Sequence, residues 1–193
     1  MPNYVKNKYD TNSNFQLHCL LSYLKNIEIK CDKNLFTFFK KQYEMSNYII
    51  FHNKENYVYH SNQFKEIVSI LKKDNKKFVV FLNDIHGADI LDKFLLKNNR
   101  IPIMSELNYL QEKIYKNKDF YDREHLNKVI NYFNKNNIKY YLRSQIYCNK
   151  FKQSCDLLFN NNKIYADYGH ITMYGAKFFS NSIVDLIDTF KKN

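Results

Sequence analysis

Apolar residues in the first 82 positions alternate between helical spacing and continuous runs. Leucines three and four residues apart predict an amphipathic helix over residues 15–25, which Ser13 or Asn14 would cap. Residues 78–82 are apolar throughout, as expected for a strand buried on both faces. The same patterns predict helices over residues 35–39 and 61–73, and strands over residues 4–9, 27–30 and 48–51.

The second half of the chain is dominated by helical spacing. It predicts one further strand, over residues 138–142, and helices over about 88–97, 105–116, 120–136 and 172–191. The alternation of helices and strands predicts an α/β fold, a three-layer α/β/α sandwich with a mainly parallel sheet of about five strands.

An open parallel sheet binds its ligands beyond the carboxyl ends of its strands. In the predicted topology these ends are followed by the loops after residue 10, Phe51, Leu82 and Leu142. A turn before the last helix, which contains Asp167 and His170, is expected at the same edge.

Composition is that of a globular protein. Hydrophobic residues make up 45% of the 193 positions and charged residues 25%, and no apolar run approaches the roughly 20 residues that span a bilayer. We expect a single domain over residues 1–193. The first residues lack the apolar centre of a signal peptide, so the sequence leaves localisation open.

The formal net charge of +11 raises the question of an acidic partner. The lysines are scattered among asparagines, as in residues 72–77, and do not form one stripe with interleaved aromatic residues. We therefore expect no nucleic-acid partner. The basic surface could instead favour acidic glycans or an anionic membrane face.

Two of the four cysteines, Cys148 and Cys155, are close enough in sequence for a local disulfide. No Cys-x-x-Cys or Cys/His grouping indicates zinc, and we expect neither a metal nor a cofactor. An oxidised pair would need an exported domain, whereas reduced cysteines would fit the cytoplasm. The sequence leaves both states open.

Asp167 and His170 stand three residues apart immediately before the last predicted helix. At this spacing the carboxylate can orient the imidazole, which can then take a proton from a hydroxyl nucleophile. The alternative is that Asp167 is a helix cap and His170 a surface residue.

The residues around this pair carry a resemblance. The run over 140–148, then Cys155, then Tyr165-x-Asp167-x-x-His170-Ile171-Thr172-x-x-Gly175-Ala176, resembles the closing segment of SGNH (GDSL-type) hydrolase domains. It looks most like those attached to membrane acyltransferases that O-acetylate surface glycans. The resemblance covers roughly the last 55 residues. It implies a flavodoxin-like fold, His170 as general base and Asp167 as its orienting partner.

The nucleophile that this family carries in a Gly-Asp-Ser triplet is not recognisable, because the triplet is absent from the chain. Ser13, or Thr11 next to Asp10, occupies the corresponding loop. Residues 13–18 are also similar to the opening of a capsule-biosynthesis acetyltransferase family, with Phe15 where that family has cysteine. Either Ser13 or Thr11 substitutes, the site is inactive, or the matching block precedes residue 1.

The oxyanion donor implied by the resemblance is an asparagine in the loop after the third strand. Counting strands favours Asn53, and Asn83 is its rival because it follows the stronger strand.

Together, these features predict a carbohydrate O-acyl esterase or O-acetyltransferase that acts on a cell-surface or capsular glycan with an unidentified acyl donor. The resemblance also implies association with a membrane acyltransferase domain. The alternative is a catalytically degenerate SGNH-like domain that binds a glycan or a partner.

Overall fold

The computed structural model describes residues 20–25, 33–53, 55–85, 88–116, 123–166 and 170–192. Residues 20–25 are helical, and Asn56–His60 form a 3₁₀ helix. The remaining helices are α1 (Lys33–Met45), α2 (Asn62–Lys73), α3 (Ala88–Asn98), α4 (Met104–Lys116), α5 (Arg123–Lys135), α6 (Ser144–Tyr147) and α7 (Met173–Lys192). The strands are β1 (Tyr48–His52), β2 (Lys77–Leu82), β3 (Tyr140–Leu142), β4 (Cys148–Asn149), β5 (Ser154–Cys155), β6 (Leu158–Phe159) and β7 (Asn162–Lys163).

The main sheet has three parallel strands in the order β1-β2-β3. Its ladder includes bonds from the Val80 N–H to the Lys139 carbonyl (3.1 Å) and from the Arg143 N–H to the Leu82 carbonyl (3.0 Å). β4 pairs with β5 and β6 with β7 in two small antiparallel hairpins.

The predicted sandwich with a mainly parallel sheet of about five strands is therefore wrong. The described residues are mostly helical, and the parallel sheet has three strands. The strands predicted over 48–51, 78–82 and 138–142 form as β1, β2 and β3. The strands after Tyr147 are only two residues long, too short to show any alternation, and pair in separate hairpins that do not extend the parallel sheet. The strands predicted over 4–9 and 27–30 lie outside the described residues.

The chain divides into two compact units. Unit 1 comprises Met1–Val80 and Asn127–Lys139, and unit 2 comprises Phe81–Leu126 and Tyr140–Asn193. The prediction of one domain over residues 1–193 stays a prediction. No helix of the described residues is long and apolar enough to cross a membrane.

Unit 1 is organised around Phe64, which is fully buried. The centroid of its ring lies 5.3 Å from that of Phe51, 5.0 Å from that of Tyr59 and 6.0 Å from that of Phe133. Phe64 lies in the first turn of α2, which Ser61 caps: the Ser61 hydroxyl accepts a hydrogen bond from the Phe64 N–H at 3.1 Å.

Asparagine adopts the left-handed backbone conformation after two helices, a position where glycine is common, in this glycine-poor chain. Asn75 after α2 has φ 53°, and Asn137 after α5 has φ 51°. In both cases the N–H of the next residue donates a hydrogen bond to a carbonyl in the last turn of the helix. The Lys76 N–H donates to the Leu71 carbonyl and the Ile138 N–H to the Phe133 carbonyl, each at 2.9 Å. These two turns direct the chain from α2 into β2 and from α5 into β3.

Unit 2 packs α3, α4 and α7 against the segment that contains the hairpins. Its core contains nine buried residues, Leu91, Leu110, Ile114, Tyr147, Cys155, Leu157, Ile164, Tyr165 and Phe179. Cys148 and Cys155 form a disulfide, which confirms that this spacing permits a local bridge. Tyr165 belongs both to this core and to the sequence motif around His170.

Candidate functional site

The carboxyl ends of β2 and β3 bring polar side chains together in unit 2. The Arg143 guanidinium donates to the Asn83 side-chain oxygen at 3.1 Å. Ser144 donates twice to Asp84: its N–H bonds to Oδ1 at 2.8 Å, and its hydroxyl bonds to Oδ2. The loops after Leu82 and Leu142 therefore meet, as expected of neighbouring parallel strands.

Burial controls the electrostatics of this cluster, which consists of Asn83, Asp84, Arg143 and Ser144. Burial raises the pKa of Asp84 above its ordinary value, and the hydrogen bonds from Ser144 partly offset the rise. Arg143 is almost completely buried, and its guanidinium lies 5.1 Å from the centroid of the Tyr147 ring. Arg143 is thereby held in place by an amide oxygen and an aromatic face.

Tyr165 connects the cluster to the motif turn. Burial raises the pKa of its hydroxyl, whereas the charge of Arg143 lowers it and that of Asp84 raises it. The centroid of the Tyr165 ring lies 5.8 Å from that of Tyr147, the ring that Arg143 packs against, so Tyr165 lies beside the cluster. No described residue forms a hydrogen bond with the Tyr165 hydroxyl, so this buried group can donate to, or accept from, a bound molecule.

The motif turn is closed at its base by backbone contacts. Tyr165 and Ile171 form an isolated antiparallel bridge, and the Ala166 N–H donates to the His170 carbonyl at 3.0 Å. The backbone of His170 is therefore held against Ala166, and His170 itself is half-buried.

The residues after His170 fix the turn to α7. The Thr172 hydroxyl accepts from the Gly175 N–H at 3.1 Å and donates to the Lys163 carbonyl at 2.5 Å. Gly175 packs directly on the backbone of Ile164. The threonine and glycine of the motif thus have structural roles: one caps the helix, and the other lets it approach the preceding strand segment.

The predicted site residues are distributed unevenly over the described structure. Ser13, its rival Thr11, and Asp167 lie outside the described residues, so the predicted triad stays a prediction. His170 belongs to unit 2. Asn53 directly follows β1 in unit 1, where it is buried, and its side-chain oxygen accepts from the Glu55 N–H at 2.9 Å.

Asn83, the rival of Asn53, is fully buried and accepts from Arg143. Its side-chain oxygen is therefore already used to hold the arginine.

Sequence reasoning missed the roles of Arg143 and Ser144. The available signal was that polar residues follow two strands directly, at Asn83-Asp84 and at Arg143-Ser144. Among the described residues there is no group of three or more His, Cys, Asp or Glu side chains that could hold a metal ion.

Comparisons with protein-family models, curated proteins and solved structures found no match for this chain. The resemblance to SGNH hydrolase domains therefore rests on the residues themselves and stays a prediction.

Proposed function

We propose that this protein is a carbohydrate O-acyl esterase or O-acetyltransferase acting on a cell-surface or capsular glycan. The observation that supports this most strongly is the backbone pairing of Tyr165 with Ile171 and of Ala166 with His170, since it gives His170 a defined position just before a long helix. A general base must be held in one position to act on its nucleophile, and these backbone contacts on both sides of His170 support that role.

In the proposed mechanism His170 removes the proton from the nucleophile, and Asp167 orients the imidazole and stabilises its charged form. Ser13 is the proposed nucleophile, with Thr11 as the alternative. The nucleophile attacks the acyl carbonyl and the sugar oxygen leaves with a proton from His170. Water or an acceptor hydroxyl then takes the acyl group.

The developing oxyanion needs hydrogen-bond donors. Asn53 is the proposed donor through its side-chain amide, because its side-chain oxygen is already bonded within its own loop. The substrate is proposed to be an O-acylated glycan, and the mechanism requires no cofactor. Association with a membrane acyltransferase domain is part of the same proposal.

A fluorophosphonate serine-hydrolase probe tests the proposal directly. We expect the label on Ser13 or Thr11, as located by peptide mass spectrometry, together with hydrolysis of an O-acetylated polysaccharide. His170→Ala should abolish both. His125→Ala is the matched control, because His125 is an exposed histidine on α5, and it should leave both unchanged.

A second candidate function, glycan binding without turnover, is favoured by the absence of a Gly-Asp-Ser triplet. A folded protein that resists the probe and hydrolyses nothing would refute the esterase and transferase proposal. Retention of acetylated oligosaccharides by that same protein would then support binding.

A further inference from the structure

Phe151 is fully exposed at the tip of the hairpin formed by β4 and β5. We call residues 148–155 the Phe151 hairpin. The residues on either side of Phe151, Lys150 and Lys152, are also exposed. A single exposed apolar residue is ordinary in a protein surface, but here a large ring is wholly exposed at a hairpin tip between two cations.

The hairpin is built to hold its tip in one conformation. Cys148 and Cys155 are directly opposite each other in the antiparallel register and are joined by the disulfide. At the tip, the Asn149 side-chain oxygen accepts from the Lys152 N–H at 3.0 Å, and Gln153 has φ 49°. A tip that is already ordered loses little conformational entropy when it binds.

The base of the hairpin is anchored in the core of unit 2. Cys155 is fully buried in the same cluster as Leu110 and Ile114 of α4. Contacts that Phe151 makes with a partner would therefore hold the whole folded unit in place, because the hairpin is fixed to its core.

The charge around the tip indicates an anionic partner. Residues 149–153 contain two lysines and no acidic side chain, and the next carboxylate in sequence, Asp156, is about half-buried. The whole chain carries a formal charge of +11, which attracts it to a negatively charged surface over distances up to the Debye length.

The shape and chemistry of the tip favour lipid over glycan. A fully exposed hairpin tip offers no concave site in which a sugar ring could be enclosed. In a bilayer the ring can enter the boundary between head groups and acyl chains, while the two ammonium groups stay at the level of the lipid phosphates.

We propose that the Phe151 hairpin docks this protein on an anionic lipid bilayer, with Phe151 inserted and Lys150 and Lys152 at the head groups. This docking is independent of the proposed catalytic function. It fixes which end of unit 2 faces the membrane.

The chain contains no tryptophan, so Phe151→Trp creates a single fluorescent reporter at the tip. We expect its emission to shift to the blue on vesicles of equal parts phosphatidylcholine and phosphatidylglycerol, and to be quenched by lipids that carry a doxyl group near the head-group boundary. Vesicles of phosphatidylcholine alone should give little change. Tyr109→Trp is the matched control, because Tyr109 is exposed on α4 and has no flanking lysines; its emission should stay that of a tryptophan in water.

Vesicle flotation of the protein without an introduced tryptophan measures how much the Phe151 ring and the two lysines contribute to binding. Phe151→Ala should weaken binding to the anionic vesicles about tenfold, and the Lys150→Gln/Lys152→Gln double variant by a similar factor. Because all three side chains are exposed, these variants should fold normally, which thermal unfolding will verify.

Three results would overturn the proposal. One is the absence of binding to anionic vesicles. Another is salt-sensitive vesicle binding that Phe151→Ala does not weaken, together with a Phe151→Trp emission that stays that of a tryptophan in water. That combination would indicate general electrostatic attraction. The third is Phe151-dependent binding of an acidic polysaccharide by a protein that does not bind vesicles.

Discussion

The backbone of Gly175 lies directly against Ile164, so that a β-carbon at position 175 would come within 2.3 Å of the Ile164 carbonyl oxygen. Neither group can move freely, because Gly175 is in the first turn of α7 and the Ile164 carbonyl accepts from the Thr172 N–H. This close approach holds the start of α7 against the segment that leads into the His170 turn.

Gly175→Ala should therefore destabilise the protein by about 1–3 kcal/mol, because α7 must shift away from Ile164. Urea unfolding measures the loss. Asn181→Ala introduces the same residue at an exposed position of α7 and should leave stability unchanged or slightly higher. Equal stabilities for both variants would contradict the close approach.

Thr172→Val should cost about 1–2 kcal/mol of unfolding free energy, since it removes the hydroxyl that caps α7 and bonds to the Lys163 carbonyl. Thr172→Ser keeps the hydroxyl and should stay close to wild type. Chemical denaturation provides the comparison. Thr189→Val removes an exposed hydroxyl from the same helix and should cost much less, so similar losses in both valine variants would argue against the cap.

The carboxyl group of Asp84 should make the free energy of unfolding depend on pH. Its pKa is raised by burial, so the folded protein holds this proton more tightly than the unfolded chain. Its contribution to stability is therefore fully present below the ordinary value of 3.8 and is lost as pH rises through the raised value. As pH rises from 3.8 through the raised pKa of Asp84, the free energy of unfolding of wild type should fall relative to that of Asp84→Asn. Urea unfolding at a series of pH values measures this difference.

Ser144→Ala should raise the pKa of Asp84 further, because the hydroxyl of Ser144 donates to the charged carboxylate. Carbon-detected NMR titration of the Asp84 carboxyl group measures the pKa in both proteins. Ser180→Ala alters an exposed serine of α7 and should not change the titration. An Asp84 pKa at or below the ordinary value in wild type would refute this account.

Asn137→Ala should destabilise the protein by about 1 kcal/mol, since alanine has no side-chain group to stabilise φ 51°. Asn137→Gly should be tolerated, because glycine adopts this conformation without steric cost. Asn134→Ala, at an exposed position inside α5, should be neutral or stabilising. Thermal and urea unfolding of the three variants distinguish the backbone effect from loss of an asparagine side chain.

The disulfide should contribute about 2 kcal/mol, because it closes a short loop in the unfolded chain. The Cys148→Ser/Cys155→Ala double variant should lose this amount under oxidising conditions. With a reductant present, wild type should fall to nearly the same stability as the variant. A variant as stable as the oxidised wild type would show that the bridge constrains little.

The sequence by itself determined the elements whose signals are local. α2 and α7 follow from apolar residues on one face, β2 follows from a continuous apolar run, and the cysteine spacing allowed the bridge. The Asp167 and His170 pair is a short sequence pattern, and its catalytic role stays a prediction. These features depend on residues close together in the chain, so neighbouring side chains carry enough information.

Only the tertiary structure decided which distant groups meet. Arg143 and Asn83 are 60 residues apart, as are Ser144 and Asp84, and their contacts exist because two strands end side by side. The two hairpins after Tyr147 have strands of two residues, too short for alternation to predict.

Phenylalanine shows the same limit most directly. Phe64 is fully buried in unit 1 and Phe151 is fully exposed on its hairpin, although the residue type is the same. Local hydrophobicity indicates that a side chain gains from burial, but whether it is buried depends on which other elements pack over it. Those elements come from distant parts of the chain, so only the folded structure shows which of them cover a given side chain.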